Sequence, residues 1–346
     1  MRRRTGASTT LLAMLWSALV CAQTAPQSPQ SASSASNVLA EARTLIDAGQ
    51  PRAAIAQLQA IDSGLKDASV EQLLGVAYYH ANDPAHAIEH LSAVMGKLAS
   101  GSPERREAAQ VLGLSHYLAG HLAEAIPYLE EVRPLVEGDV KLAYVLGMAY
   151  AQTRQPDKAR DSFARTFNVA PASAGAHLIA GQMMNRLELE DLAEAELKAA
   201  LEKDPKLPEA HYLLGQIAIF RSRLDEGLRL MREELAINPA HAMALYRIGD
   251  VYTRQLKWEP AMAALQQSLW INPYFSGPYI LLGKAYSKTN QPEAAEEMLR
   301  RAIGYDPNNK SAHYLLAQVL QQAGRGEEAK REFAIAERLQ ESGIRN

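Results

Sequence analysis

The chain of 346 residues has little of several residue types that carry common chemistry. Its one cysteine, Cys21, cannot form an internal disulfide or a site with several thiolate ligands. Aromatic residues make up only 6%, and the remaining composition favours helices over a β-sandwich. A net charge of −3 gives no global indication of nucleic-acid or anionic-membrane binding. Composition therefore points to a helical protein without an internal disulfide.

Long apolar runs are also missing, apart from residues 11–20. This run follows three arginines, is too short to span a bilayer comfortably, and leads into the small-residue pattern Val20-Cys21-Ala22. We expect residues 1–22 to be a cleaved signal peptide, and the mature protein to be periplasmic or secreted from a bacterium. Residues 23–36, rich in Pro, Ser, Gln and Ala, are expected to form a disordered linker.

A lipid anchor on Cys21 is the alternative use of the same segment. Bacterial lipoproteins usually place Gly, Ala or Ser directly before the acylated cysteine, whereas this chain has Val20. Lipidation at Cys21 is therefore the weaker hypothesis. It would make the protein an outer-membrane lipoprotein assembly factor of the pilus- or barrel-biogenesis kind.

From residue 140 onward the sequence repeats every 34 residues. Each repeat has a small residue at one position and a second small residue twelve residues later. A large apolar residue follows four residues after that, and a proline closes most units. A repeat of this length is typical of stacked arrays in which no unit buries its apolar face alone. The first of these positions contains Gly147, Gly181, Gly215, Gly249, Gly283 and Ala317.

The unit 242–275 illustrates what each repeat forms. Leu245, Ile248, Gly249 and Tyr252 share one face of a helix, and Pro260 lies in the first turn of a second helix. We expect a helical hairpin in which Gly249 faces Ala261 at a close crossing. A glycine inside a helix costs about 1 kcal/mol relative to alanine, so its recurrence indicates close packing.

These positions resemble the tetratricopeptide repeat, whose motif has a small residue at position 8, Tyr at 11, Ala at 20, a large apolar residue at 24 and Pro at 32. The resemblance covers residues 140–339, and two looser units and a degenerate capping hairpin precede it. It implies an all-α, right-handed superhelical solenoid of about nine helix-turn-helix hairpins over residues 37–340, with a short tail at 341–346. The expected units are 37–66, 68–101, 106–139, 140–173, 174–207, 208–241, 242–275, 276–309 and 310–340.

The array leaves no segment long enough for a catalytic domain, and no Ser/His/Asp, HExxH or dinucleotide-loop pattern appears. We therefore expect a non-catalytic protein without cofactors. A metal-binding or enzymatic role at His80, His86 and His90 is kept as an alternative, because His86 and His90 are one helical turn apart. His177, His211 and His313 recur at unit position 4 and are expected to pack between helices.

In this family the first helices of successive units line a concave groove. Reading positions 5, 9 and 13 in the central units brings tyrosines, glutamines and cations together, and Tyr and Arg often anchor interfaces. The resemblance thus predicts a groove that binds a protein or peptide, with an acidic segment or a free carboxylate terminus as the best match. A chaperone-tail carboxylate clamp is not supported, because among the residues at position 6 only Arg247 is basic. The predicted groove residues are Gln182, Arg186, Tyr212, Gln216, Tyr246, Asp250, Arg254, Lys284 and Lys288.

Overall fold

The computed structural model describes residues 29–61, 67–135 and 138–344. In this part of the chain the secondary structure is helical throughout, which confirms the all-α prediction. A short 3-10 helix, Arg133–Leu135, follows α6. The α-helices are α1 Pro29–Asp47, α2 Pro51–Gln59, α3 Ala68–His80, α4 Pro84–Val94, α5 Pro103–Leu118, α6 Leu122–Val132, α7 Val140–Gln152, α8 Pro156–Thr166, α9 Ala174–Arg186, α10 Glu190–Lys203, α11 Ala210–Phe220, α12 Leu224–Ile237, α13 Ala242–Arg254, α14 Trp258–Ile271, α15 Ser276–Lys288, α16 Pro292–Tyr305, α17 Lys310–Gln322 and α18 Gly326–Ile344.

Consecutive helices pair into hairpins, which we number 1 to 9 in chain order. The ends of two helices differ from the sequence prediction. Helix α1 begins at Pro29, inside the segment predicted as linker, because residues 30–47 contain neither proline nor glycine to stop the helix. Helix α18 continues to Ile344, into the predicted tail. The predicted signal peptide and Cys21 lie outside the described residues.

Contacts group the chain into two compact units, Met1–Glu104 and Arg105–Asn346. The sequence predicted one uninterrupted array. The division falls in the first turn of α5, next to the segment 98–103, which lengthens the spacing between the second and third units from 34 to 38 residues. The extra residues lengthen the connection between α4 and α5, so the repeat is interrupted at this point.

The glycine at unit position 8 makes room for the large residue at position 24 of the same hairpin. A Cβ atom added to Gly249 would lie 2.5 Å from Cγ of Leu265 and 3.4 Å from the carbonyl oxygen of Ala261. The side chain that needs the glycine is Leu265, while Ala261 faces Gly249 with its backbone carbonyl, so the predicted close approach of Gly249 and Ala261 is present. The same relation holds for Gly147 with Phe163 and for Gly283 with Leu299.

The apolar core is shared between neighbouring hairpins. One cluster joins Met231 of hairpin 6 to Ile248 and Val251 of hairpin 7, and another joins Leu299 of hairpin 8 to Leu316 of hairpin 9. All five side chains are buried. Burial across each junction explains why such units are stable only as a stack.

In four hairpins position 11 is a tyrosine that links the hairpin to the preceding one. The hydroxyl of Tyr150 donates to Glu130 over 2.6 Å, and burial together with this carboxylate raises the pKa of Tyr150. A buried hydroxyl needs such a partner, which accounts for the polar residue at position 25 of the preceding unit. The equivalent pairs are Gln59–Tyr78, Arg232–Tyr252 and Gln266–Tyr286.

Ion pairs on the outer side also cross hairpin junctions. Arg223, in the turn between α11 and α12, donates to Glu194 of hairpin 5 over 2.8 and 3.2 Å. Arg221 adds a third contact at 2.9 Å and Lys198 a fourth at 2.7 Å. The same junction position is occupied by Arg325 and Glu296 in hairpins 9 and 8. Hydrogen bonds from Arg223 lower the pKa of Glu194 to about 2.

The lowered pKa of Glu194 predicts a defined pH dependence of stability. Because its ordinary pKa is 4.5, the stabilisation by Glu194 is complete above pH 4.5 and is lost as the pH falls towards 2. We expect Glu194→Gln to lower the free energy of unfolding by a constant amount above pH 4.5, and by progressively less below it. Urea denaturation from pH 7 to 3 measures this difference. Glu202→Gln, at an exposed position, is the matched control; a difference that does not change with pH would contradict the prediction.

Candidate peptide-binding groove

Contacts between helices identify the inner face of the compact unit Arg105–Asn346. First helices touch the first helix of the next hairpin, in the pairs α11–α13, α13–α15 and α15–α17. Among the described helices, no second helix packs comparably against the next second helix. Because the first helices are drawn together and the second helices are splayed, the first helices line the concave side. Positions 5, 9 and 13 of the central repeats lie on these helices.

The downstream pocket lies between α15 and α17 and has a volume of about 500 Å³. It brings the predicted residues Lys284 and Lys288 together with Gln318 and Gln322 of the next hairpin. Within the described part of the chain, neither lysine has an ion-pair partner. The pocket floor is apolar, formed by residues such as Leu299. Two uncompensated cations over an apolar floor suit an acidic segment with apolar side chains.

The upstream pocket, of about 410 Å³, spans hairpins 5 to 7. The predicted residues Gln216 and Arg254 line it, together with Arg247, which the sequence analysis did not include in the groove. Phe220 stands at its edge with 75% of its surface exposed. The α9–α10 turn closes the other end. The complete lining is Asn185, Glu188, Glu190, Gln216, Ile217, Ile219, Phe220, Arg247 and Arg254.

The charge of Arg254 is largely compensated within its own helix. Its Nη2 atom lies 2.8 Å from Oδ2 of Asp250, and its Nε atom lies 3.2 Å from Oδ1. Both residues were predicted on the groove wall, and one helical turn between them permits this bidentate pair. Arg254 is therefore a weaker attractor for a ligand carboxylate than its sequence position suggests.

Tyr212 and Tyr246, predicted as flat anchors, are more deeply packed than expected. Tyr212 is only 8% exposed; its hydroxyl accepts from Gln216 over 2.8 Å and its ring packs 4.5 Å from His241. Tyr246 is half-buried and meets Phe275 edge-on. Burial raises the pKa of both tyrosines. Their rings are structural walls of the groove rather than open platforms.

The two remaining predicted residues lie outside both pockets. Gln182 is half-buried and Arg186 is exposed, one turn apart on α9. Arg247 could have been identified from the sequence, because it is a charged residue at position 6, where the other central units have aliphatic residues. Glu188 and Glu190 carried no such signal, because they belong to a turn whose position relative to the groove is fixed only by packing.

Of the three histidines of hairpin 2, His80 is exposed with its ring edge-on to Tyr79, and the other two make closer contacts. Nδ1 of His86 lies 2.7 Å from Asp83, Nδ1 of His90 lies 2.6 Å from Glu71, and both imidazoles stack on the ring of Tyr78. This arrangement does not favour the metal-binding or enzymatic alternative. His177 and His313 make the matching contacts with the glutamate at position 23, at 2.7 and 2.6 Å, so the packing role expected for position 4 includes a hydrogen bond.

One group in the described residues brings three possible metal ligands together: Glu209, Glu234 and His241. Glu234 accepts from the backbone N–H groups of Glu209 and Tyr212, over 3.0 and 3.3 Å. Nδ1 of His241 accepts from the N–H of Ala244 at the start of α13, and its Nε2 lies 3.2 Å from Oε1 of Glu209. Glu234 and His241 therefore act as capping groups for α11 and α13.

None of the described helices combines the length and apolar character that crossing a bilayer requires.

Comparison with known proteins agrees with this architecture. Three tetratricopeptide-repeat family models match the chain: one at residues 39–103, 144–208 and 186–240, a second at 243–273 and a third at 288–341. No curated protein matches the chain significantly.

The solved structures that are similar to this chain resemble it in fold alone. MamA 41-end from Desulfovibrio magneticus RS-1 is 24% identical, with a TM-score of 0.45 over 49% of this chain and 96% of that one. The Cut9–Hcn1 hetero-tetramer of APC/C is 17% identical, with a TM-score of 0.44 over 82% of this chain and 55% of that one. A thermophilic tetratricopeptide-repeat protein from Thermus thermophilus is 22% identical, with a TM-score of 0.39 over 47% and 90%.

The family matches, the nine hairpins and the position-8 to position-24 packing agree, and the chain belongs to the tetratricopeptide-repeat family, whose members are generally non-catalytic scaffolds that bind proteins or peptides.

Proposed function

We propose that this protein holds an acidic peptide segment of a partner protein in the groove formed by its first helices. The observation that supports this most directly is the pair Lys284 and Lys288, which face the downstream pocket without an ion-pair partner among the described residues. A carboxylate entering there would gain charge-assisted hydrogen bonds from both ammonium groups. Gln318 and Gln322 would pair with the peptide backbone beside it.

The groove also suits capture by electrostatic steering. Arg186 is exposed on the same row of positions as Lys288, so this row carries exposed positive charge although the whole chain is acidic. These cations would attract acidic segments. The buried tyrosines shape the groove, and the lysines provide most of the attraction.

Replacing both lysines tests this function. We expect Lys284→Ala/Lys288→Ala to weaken binding of a labelled, alternating Glu/Ala decapeptide at least about tenfold, or roughly 1.4 kcal/mol. Fluorescence anisotropy against salt concentration should also show a flatter dependence, because fewer charges are screened. Peptides with a free and an amidated C-terminus separate side-chain recognition from terminus recognition.

The matched control removes two other exposed lysines, Lys203 and Lys257, which lie outside the groove positions and have no ion-pair partner among the residues that the structure describes. This variant has the same net charge as the groove variant and should bind like the parent. Equal weakening by both variants would show that only net charge matters, and the proposed groove site would then be wrong.

We propose further that the scaffold works outside the cytoplasm. The three arginines, the apolar run at 11–20 and the Val20-Cys21-Ala22 pattern support export with cleavage after Ala22. Expression of the full chain in a Gram-negative host should give a mature protein that begins at Gln23. N-terminal sequencing of the periplasmic fraction measures this; an acylated Cys21 by intact mass would favour the lipoprotein alternative, and a retained Arg2 would contradict export.

A further inference from the structure

The upstream pocket differs from the downstream one because it contains uncompensated charges of both signs. Arg247 has no carboxylate within ion-pair distance among the described residues, and its Nε atom is buried without a hydrogen-bond partner. Its guanidinium group lies 5.4 Å from the centre of the Tyr246 ring. Contact with the Tyr246 ring and with the Tyr212 hydroxyl orients the guanidinium group, and its remaining donors are available to an acceptor.

The opposite end of this pocket is acidic. Glu188 occupies the α9–α10 turn and Glu190 is the first residue of α10. Neither carboxylate has an ion-pair partner in the part of the chain that the structure describes. Glu190 stands in the first turn of α10, where a carboxylate interacts favourably with the helix dipole.

Between the charged ends lies apolar surface. Ile217 and Ile219 of α11 are buried beneath the pocket, and Phe220 projects at its rim. Arg247 is half-buried, so a carboxylate that meets its guanidinium group gains more than one that meets a fully solvated cation. The pocket volume of about 410 Å³ lies in the range of ligand sites.

We infer that the upstream pocket binds a dipolar peptide segment, in which one acidic side chain meets Arg247, one basic side chain meets Glu188 and Glu190, and an apolar residue between them packs on Phe220. This inference rests on the proposed groove function and assigns a second, chemically different site to the same groove. It sets the direction of the bound segment, because a reversed segment would place like charges together.

Four peptides test the site. All are capped at both ends, carry a label and share the core Asp-Ala-Leu-Ala-Lys; the variants replace Asp by Asn, Lys by Gln, or both. We expect the parent peptide to bind at least about tenfold more tightly than either single replacement, measured by fluorescence anisotropy. Spacing variants with one residue fewer or more between the charges should bind more weakly.

Protein variants assign each charge to its partner. Arg247→Gln should abolish the preference for Asp over Asn while preserving the preference for Lys over Gln. Glu188→Gln/Glu190→Gln should have the converse effect, and such pairwise coupling isolates each contact. Arg254→Gln is the control on the same pocket wall, and we expect a smaller effect because Arg254 is paired with Asp250.

Two outcomes would overturn this inference: binding that ignores the lysine of the peptide, or a lysine preference that survives the double glutamate variant. Equal affinity for all four peptides, including no measurable binding, would also overturn it. The Lys284→Ala/Lys288→Ala variant should retain the order of the four peptides. The Glu/Ala decapeptide reports separately on the downstream pocket, so failure here leaves the general groove function testable and distinct.

Discussion

Gly249→Leu is expected to loosen the centre of the array, with a loss of about 1–3 kcal/mol or more in the free energy of unfolding. Even a single added carbon would lie 2.5 Å from Cγ of Leu265, which is fully buried and cannot move aside cheaply. Because each hairpin contacts its neighbours, hairpins 6 to 8 should exchange amide hydrogen faster, while hairpins 2 and 3 change little. Hydrogen exchange by mass spectrometry measures this pattern.

The control for this prediction is the same substitution at Gly304. A Cβ atom at this position in α16 would have nothing within 4 Å. Gly304→Leu should therefore leave stability unchanged or raise it slightly, since glycine is a poor helix former. If the two variants behaved alike, close packing at position 8 would not be the reason for the glycine.

Glu234→Ala is expected to cost at least about 2 kcal/mol of stability, because it leaves buried N–H groups without an acceptor. Glu234 is fully buried and accepts from the backbone of Glu209 and Tyr212 at the start of α11. It therefore caps a helix whose own N-cap residue, Glu209, makes no side-chain capping bond. Urea denaturation and amide exchange at residues 209–212 measure the effect.

Two further variants separate capping from loss of volume or charge. Glu234→Gln keeps the shape and one acceptor oxygen, so an intermediate loss is expected. Glu202→Ala removes an exposed glutamate from the neighbouring helix α10 and should change stability little. A parent-like Glu234→Ala variant would contradict the capping role.

Much of the fold could be predicted because the 34-residue period is carried by packing. Gly249, Leu265 and Tyr252 have the residue types that their positions require, and the resemblance places them without any three-dimensional information. The side chain nearest to Gly249 was harder to predict, since sequence spacing alone does not distinguish Ala261 from Leu265. Both face the glycine, and only side-chain geometry decides which one fills the space.

The binding surface was harder to predict than the fold. Lys284 and Lys288 were identified because position alone brings them together, and their pocket needs only two adjacent hairpins. Whether an arginine is available depends on its neighbours: Arg254 is paired with Asp250, whereas Arg247 has no carboxylate partner among the described residues. The acidic end of the upstream pocket comes from the α9–α10 turn, whose approach to α13 depends on packing across three hairpins.

The uneven distribution of outer ion pairs has a mechanical consequence. Hairpins 5 and 6 are joined by Glu194–Arg223, and hairpins 8 and 9 by Glu296–Arg325. In the described structure no arginine or lysine forms an ion pair across the two junctions of hairpin 7, where tyrosine hydrogen bonds make the connection instead. The junction of hairpins 7 and 8 separates the two pockets. The distance between a ligand group in one pocket and a group in the other is therefore set by apolar packing and the Gln266–Tyr286 hydrogen bond at this junction, rather than by an ion pair.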